Sequence, residues 1–226
     1  LMFLTGLLRS LPKAVLAAVV LMAVKGLIDI REMLWVRRVS KFEFSVVLMA
    51  LVGVLLLGIL NGVLLAALAS LLLLLARETH PHVAFLGRIP GTRRFTDLAR
   101  HPDNEVIPGV LAFRVEAGIL YFNVENIERD VLDRVAAGGS SIRLVVCDLS
   151  TSPTVDLAGA RMLSKLHGVL VKRGIRLQVT EARSSVRDVL RAVGLEEKVG
   201  RVNRFSSVSD LIDDFLSAPD RAEPEV

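Results

Sequence analysis

The feature that most limits what this chain can fold into is a stretch without any charge, from Phe44 to Ala76. A soluble helix of that length would need a polar face, so the stretch favours the interior of a membrane. As one helix, residues 45–76 would run for about 48 Å, well beyond a hydrocarbon core of about 30 Å. Asn61-Gly62 lies at the centre and is a turn signal, which predicts two shorter helices in a membrane hairpin.

A second apolar segment precedes the hairpin. Residues 10–28 have a charge-free centre, with Lys13 and Lys25 near its ends, and they predict another spanning helix. Residues 29–43 contain Trp35 among basic residues and predict a helix on the cytoplasmic surface. Basic residues on both sides of the hairpin favour the cytoplasm for both of its ends. They are Lys25, Arg31, Arg37, Arg38 and Lys41 before it, and Arg77, Arg88, Arg93, Arg94 and Arg100 after it.

Charge is distributed unevenly along the chain. Residues 1–76 hold 7 Lys/Arg against 3 Asp/Glu, whereas residues 77–226 hold 21 of each. The net charge of +4 therefore belongs to the apolar half, and we predict no nucleic-acid binding, which needs a basic face on a folded domain. The one cysteine, Cys147, lies in an apolar run and is interpreted as a buried strand residue.

The second half changes to a pattern of strands and helices. We interpret residues 77–105, rich in Pro, Gly and charge, as a linker, residues 106–216 as a soluble α/β domain, and residues 217–226 as a disordered tail. The predicted strands are 110–115 and 119–124, joined as a hairpin, then 142–149 and 175–179. Asp156 is predicted to cap a helix, and Ser207 with Asp210 to form a capping box for the last one.

Catalytic signatures are missing from the sequence. It shows no nucleophile–base pair, no metal-ligand cluster and no phosphate-binding loop, and His80 and His82 without Cys or carboxylate partners make a poor metal site. We therefore expect neither an enzyme nor a cofactor or metal site.

The linked order of several motifs resembles one family. "LPKAVLAAVVLMAVKGLIDIREM" and "WVRRVSKFEF", followed by the apolar hairpin, resemble the end of the membrane domain of sulfate permease (SulP) anion transporters. "HPHVAFLGRIPGT", "RHPDNEVIPGVLAFR" and "GILYFNVE" resemble the connection to their cytoplasmic STAS domain. The resemblance implies a C-terminal fragment with an all-α membrane segment, residues 1–76, followed by a STAS domain whose mixed sheet has four to five strands with helices packed on it.

The same resemblance implies a function and partners. The family carries out secondary active transport of sulfate, bicarbonate or dicarboxylates, by symport or exchange, in the inner (plasma) membrane with a cytoplasmic C-terminal domain. Residues 1–76 would match the last gate-domain helices, so no substrate-binding residue is expected in them. Implied partners are the lipid bilayer, the rest of the transporter chain, a second copy in a homodimer, and a cytoplasmic protein that binds the STAS domain.

The stretch "CDLSTSPTVDLAGARML" raises the question of a phosphorylation switch. STAS domains of anti-sigma-factor antagonists carry an aspartate, one or two hydroxyls and a glycine at this turn. Asp156 and Gly159 match that pattern, but Leu157 and Ala158 replace the hydroxyls, so we predict no phosphoacceptor. Asp148, Asp156 and Gly159 remain the candidate interaction residues. The alternative to a transporter fragment is a membrane-tethered STAS module that binds a protein without transporting anything.

Overall fold

The structure, a computed structural model, describes residues 13–25, 29–200, 202 and 205–217. It divides into two compact units, Leu1–Leu73 and Leu74–Val226, which we consider one at a time. The predicted tail, residues 217–226, lies outside the described residues except for Ser217, the last residue of the final helix.

The described part of the first unit is helical. Its helices are α1 (Lys13–Lys25), α2 (Ile30–Val39), α3 (Lys41–Leu57) and the start of α4 (Ile59–Thr79), which ends in the second unit. Among the described residues, α4 is the one helix long and apolar enough to cross a membrane. The predicted surface helix 29–43 is divided at Ser40, because the Ser40 side chain accepts a hydrogen bond from the Glu43 N–H and begins α3.

The break in the apolar stretch lies at Gly58 rather than at the predicted Asn61-Gly62. Gly58 has a φ of 82°, which a glycine adopts without steric cost. Gly62 instead allows a close helix contact, since an added Cβ atom would lie 2.3 Å from the Val54 nitrogen. The prediction of two helices is therefore confirmed, whereas the position of the break was wrong by three residues.

The second unit contains a mixed five-stranded sheet, which confirms the mixed sheet of four to five strands that the family resemblance implies. Strand order is β2-β1-β3-β4-β5; β1 is antiparallel to both neighbours, and β3, β4 and β5 are parallel. The strands are β1 (Val83–Arg88), β2 (Phe95–Asp97), β3 (Val110–Val115), β4 (Leu144–Asp148) and β5 (Arg176–Thr180).

Two of the predictions for this unit are wrong. The supposed linker 77–105 contains β1 and β2, because β3 offers β1 a hydrogen-bonding edge that no local pattern reveals. Residues 119–124 are not a strand: only Ile119 forms a bridge, to Val155. Asn123 accepts a hydrogen bond from the Leu120 N–H, and this local turn competes with strand pairing.

Helices cover both faces of the sheet. They are α5 (Val124–Ala137), α6 (Leu157–Val171), α7 (Ser184–Ala192), α8 (Leu195–Val199) and α9 (Val208–Ser217). One core contains Phe113, Cys147 and the apolar stripes of α5 and α6, while the opposite core contains Val146 with Ile212 of α9. Cys147 is fully buried, as predicted, and burial raises the pKa of its thiol well above the usual value.

The position of β1 inside the sheet leads to a test. We expect a fragment of residues 80–217 to unfold cooperatively, whereas a fragment of residues 106–217 should aggregate or unfold at lower denaturant, because removal of β1 and β2 exposes the edge of β3. Urea unfolding followed by circular dichroism checks this. Equal midpoints for the two fragments would contradict the structural role of β1.

Candidate functional site

Asp156 holds two segments together with both of its carboxylate oxygens. One oxygen accepts a hydrogen bond from the Gly159 N–H at 2.8 Å, which caps α6 as predicted, and the other accepts from the Tyr121 N–H at 2.9 Å. Backbone hydrogen bonds between Ile119 and the chain at Thr154 and Asp156 reinforce the same contact. The aspartate therefore joins the α6 N-terminus to the segment that follows β3.

Gly159 is required here because of space. A Cβ atom at this position would lie 2.6 Å from the Ile119 carbonyl oxygen and 2.9 Å from its Cγ2 atom. Backbone cannot move aside as a flexible side-chain end can, so a larger residue would force the 119–123 segment away from α6. Gly159 thus serves packing, next to the residue that Asp156 binds.

The third predicted interaction residue, Asp148, lies elsewhere. It lies on the same face of β4 as Leu144 and Val146, whose side chains belong to the core beneath α9. Its carboxylate is buried and accepts hydrogen bonds from Arg114 Nε at 2.7 Å and from the Ser150 N–H at 2.8 Å. The structure therefore does not bring Asp148 together with Asp156, and Asp148 serves an ion pair beneath α9.

Two hydroxyl groups of the preceding loop form internal hydrogen bonds. Thr151 Oγ1 and Ser152 Oγ both donate to the Val115 carbonyl, and Ser152 is fully buried. Leu157 and Ala158 occupy the two positions between Asp156 and Gly159 and carry no side-chain oxygen. A kinase acting on Ser152 would first have to pull the loop off the end of β3.

An open groove of about 600 Å³ lies beside the Asp156 turn, between the first turns of α5 and α6. Its rim carries Tyr121 and Leu157, which are 73% and 54% exposed. Lys165 and Glu128 form an ion pair of 2.9 Å in its wall. Acidic and basic groups are nearly balanced in the lining, which suits a mixed protein surface better than a small anion. The lining is Tyr121, Val124, Leu157, Ala158 and Met162 with Glu125, Glu128, Asp156, Arg161 and Lys165.

Two residues of this region were missed from the sequence. Tyr121 was assigned to a strand, although it borders the groove. Asn123 is buried, and its side chain donates to the Gly118 and Glu78 carbonyls while accepting from the Leu120 N–H. An asparagine immediately before a helical pattern is a turn and cap signal, and it could have ended the supposed strand at this point.

His82 is not free for metal binding. Its Nε2 atom lies 3.0 Å from an Asp97 carboxylate oxygen, which links the start of β1 to the end of β2. Within the described residues, no group of three or more His, Cys, Asp or Glu side chains could hold a metal ion.

The sheet order and the capped turn define a STAS-type α/β domain that follows membrane-type helices. Residues 101–211 match the STAS domain, and residues 1–50 match the sulfate permease family. The chain belongs to the sulfate permease family.

Similar proteins agree with this assignment. Low affinity sulfate transporter 3 of Stylosanthes hamata is 33% identical over 95% of this chain and 35% of its own length. A probable sulfate transporter of Mycobacterium tuberculosis is 32% identical over 94% of this chain and 38% of its own length. The structure of the murine Slc26a9 anion transporter has a TM-score of 0.74 at 22% identity, covers 92% of this chain and 34% of that one, and supports the fold. The chain spans about a third of the length of these relatives.

The double role of Asp156 predicts a stability effect. Asp156→Ala should lower the free energy of unfolding of the soluble unit by roughly 0.5–2 kcal/mol, because the α6 cap is lost and the Tyr121 N–H loses its acceptor. Urea unfolding of residues 80–217 measures the change. The exposed Asp188→Ala, in the interior of α7, is the matched control and should change stability by less than about 0.5 kcal/mol. Equal effects of the two substitutions would contradict the cap.

Proposed function

We propose that this chain is part of a secondary active transporter of inorganic anions of the sulfate type. The single observation that carries the proposal is the linked order of a sulfate permease match at residues 1–50 and a STAS match at residues 101–211. The names of its relatives support the proposal: they are sulfate transporters, and their similarity extends over nearly the whole of this chain. Sulfate is therefore the first substrate to test, with bicarbonate and dicarboxylates as the other anions expected of the family.

The membrane helices are proposed to have a structural part in transport. In the described residues of the first unit, the charged side chains lie at or near helix ends or on α2. The interior of α3 and the part of α4 in this unit carry none, since residues 44–73 include no Asp, Glu, Lys or Arg. A midplane anion site needs converging donors such as helix N-termini and cationic side chains. We therefore assign α3 and α4 to the scaffold of the transporter, in contact with the bilayer and, as the family implies, with a second copy.

The orientation follows from charge. Basic residues are concentrated near the start of α3, at Arg37, Arg38 and Lys41, and again from Arg77, near the end of α4, onwards. Such residues near span ends are retained on the cytoplasmic side, so we place both flanks there. The STAS domain is accordingly proposed to be cytoplasmic, in a protein of the inner (plasma) membrane.

The STAS domain is proposed to regulate the transporter by docking a protein at the groove beside Asp156. Support comes from the exposed apolar rim of Tyr121 and Leu157 and from the balanced charge of the lining. Regulation through phosphate on the turn itself is not part of the proposal, because Leu157 and Ala158 offer no oxygen and Ser152 is buried.

Uptake by the intact protein tests the transport proposal. Purified intact protein in liposomes should take up labelled sulfate, bicarbonate or fumarate with saturation, whereas residues 1–226 alone should give no flux above empty liposomes, because α3 and α4 are assigned to the scaffold. Absence of uptake for all three anions would contradict transport and would favour the tethered STAS module. Saturable flux through residues 1–226 alone would contradict the scaffold role.

The docking proposal is tested at the groove rim. Leu157→Arg should reduce uptake in cells several-fold, because loss of an interface anchor typically costs more than about 1 kcal/mol of binding free energy. Val171→Arg, at the other end of the same helix and similarly exposed, is the matched control and should leave uptake unchanged. Both variants should keep the stability of the soluble unit. Equal uptake by the two variants would contradict docking at the groove.

A further inference from the structure

The helices α2 and α3 are two distinct helices joined by a single residue, Ser40. Asp29 accepts a hydrogen bond from the Glu32 N–H at 3.0 Å and begins α2. The Ser40 N–H donates to the Val36 carbonyl at the end of α2, while the Ser40 side chain caps α3. Since α3 continues into the charge-free stretch, its polar first turn marks the level of the lipid headgroups, and α2 lies next to that turn.

One side of α2 packs within the first unit and the other side is free of described neighbours. Met33 and Val36 are partly buried, and the other residues of the helix are exposed. At 100° per residue, the direction opposite these two is occupied by Arg31 and Arg38, which are seven residues apart and lie on one stripe. The outward face of α2 is therefore centred on two arginines.

Large apolar side chains flank this arginine stripe on both sides. Ile30, Leu34, Trp35 and Val39 are each between 57% and 64% exposed, on a helix of ten residues. Water is a poor solvent for such a surface, whereas the boundary between headgroups and acyl chains accepts apolar side chains and favours tryptophan. Arginines among them extend their guanidinium groups to the phosphate level.

The arginine charges have no partner inside the described residues. Neither Arg31 nor Arg38 forms an ion pair there, and the Asp29 carboxylate is engaged as the helix cap. Arg37 lies on another side of the helix, with its guanidinium 5.8 Å from the centre of the Phe44 ring. Arg31 and Arg38 are thus left as two exposed cations on a surface with the character of a membrane interface.

We propose that the outward face of α2 binds anionic phospholipids, with Arg31 and Arg38 contacting headgroup phosphates while Leu34 and Trp35 enter the acyl boundary. Guanidinium groups bind phosphate with two parallel hydrogen bonds. The phosphate of a zwitterionic lipid also accepts these bonds, but such a lipid has no net charge to attract the arginines. The selectivity for anionic lipid therefore comes from charge, and it does not depend on whether the protein transports an anion.

The chain supplies its own probe for this proposal. Trp35 is the only tryptophan in the sequence, so tryptophan fluorescence, excited at wavelengths that Tyr121 does not absorb, reports on α2 alone. The full 226-residue chain is reconstituted in phosphatidylcholine vesicles with one fifth phosphatidylglycerol, and bromine is carried on the acyl chains of either the phosphatidylglycerol or an equal amount of phosphatidylcholine. Bromine quenches only a tryptophan near it, so the ratio of the two quenching values measures the enrichment of anionic lipid around α2.

We expect brominated phosphatidylglycerol to quench Trp35 more than brominated phosphatidylcholine does, by a factor of about two or larger. Each arginine near an anionic membrane surface strengthens binding to that surface by about fivefold. Arg31→Gln with Arg38→Gln should bring the ratio to about one. Arg37→Gln with Lys41→Gln removes the same charge from the same segment and should preserve the ratio.

Three results would overturn the proposal. A ratio of one in the unchanged chain would show that α2 does not select anionic lipid. Equal losses in the two double variants would assign the selectivity to net charge rather than to the stripe. Absence of quenching by both lipids would show that protein covers Trp35. Circular dichroism of each variant confirms that the helices are retained, so that a loss of quenching is not a loss of folding.

Discussion

The pairing of β1 with β3 is the interaction on which the second unit depends. It joins residues that follow α4 to a strand in the middle of the sheet, with Val83 opposite Val115 and Leu86 opposite Ala112. Because β1 is antiparallel to β3, the chain enters the sheet at the carboxyl end of the parallel strands. The Asp156 turn follows the carboxyl end of β4, so it lies at the same end of the sheet as the point where the chain enters.

At that end of the sheet, the Asp156 turn is a structural joint between α6 and the segment that follows β3. Asp156 uses one oxygen for the α6 cap and the other for the Tyr121 N–H, and Gly159 lets Ile119 approach the helix. Leu157, which carries no hydroxyl, is exposed at this turn and borders the groove together with Tyr121. These features support the proposal that the turn helps to bind a protein surface.

Burial also explains why the two predicted aspartates have different roles. Asp148 is buried within the sheet, where an unpaired carboxylate would be costly, and Arg114 on the neighbouring strand satisfies it in register. Asp156 stands at a helix start, where backbone N–H groups need an acceptor. In the first unit, backbone conformation determines the break at Gly58, because a positive φ there ends one helix and allows the next to begin.

The sequence by itself determined the features that depend on neighbouring residues. They are the charge-free stretch, the Asp156 cap, the capping box of Ser207 and Asp210, and the buried strand around Cys147. The tertiary structure alone decided that residues 83–88 and 95–97 are strands, since a strand needs a partner edge: β3 supplies it to β1, and β1 supplies it to β2. It also brought Tyr121 to Leu157 and kept Asp148 away from Asp156, because distances between remote segments depend on strand order and sheet face, which local spacing does not encode.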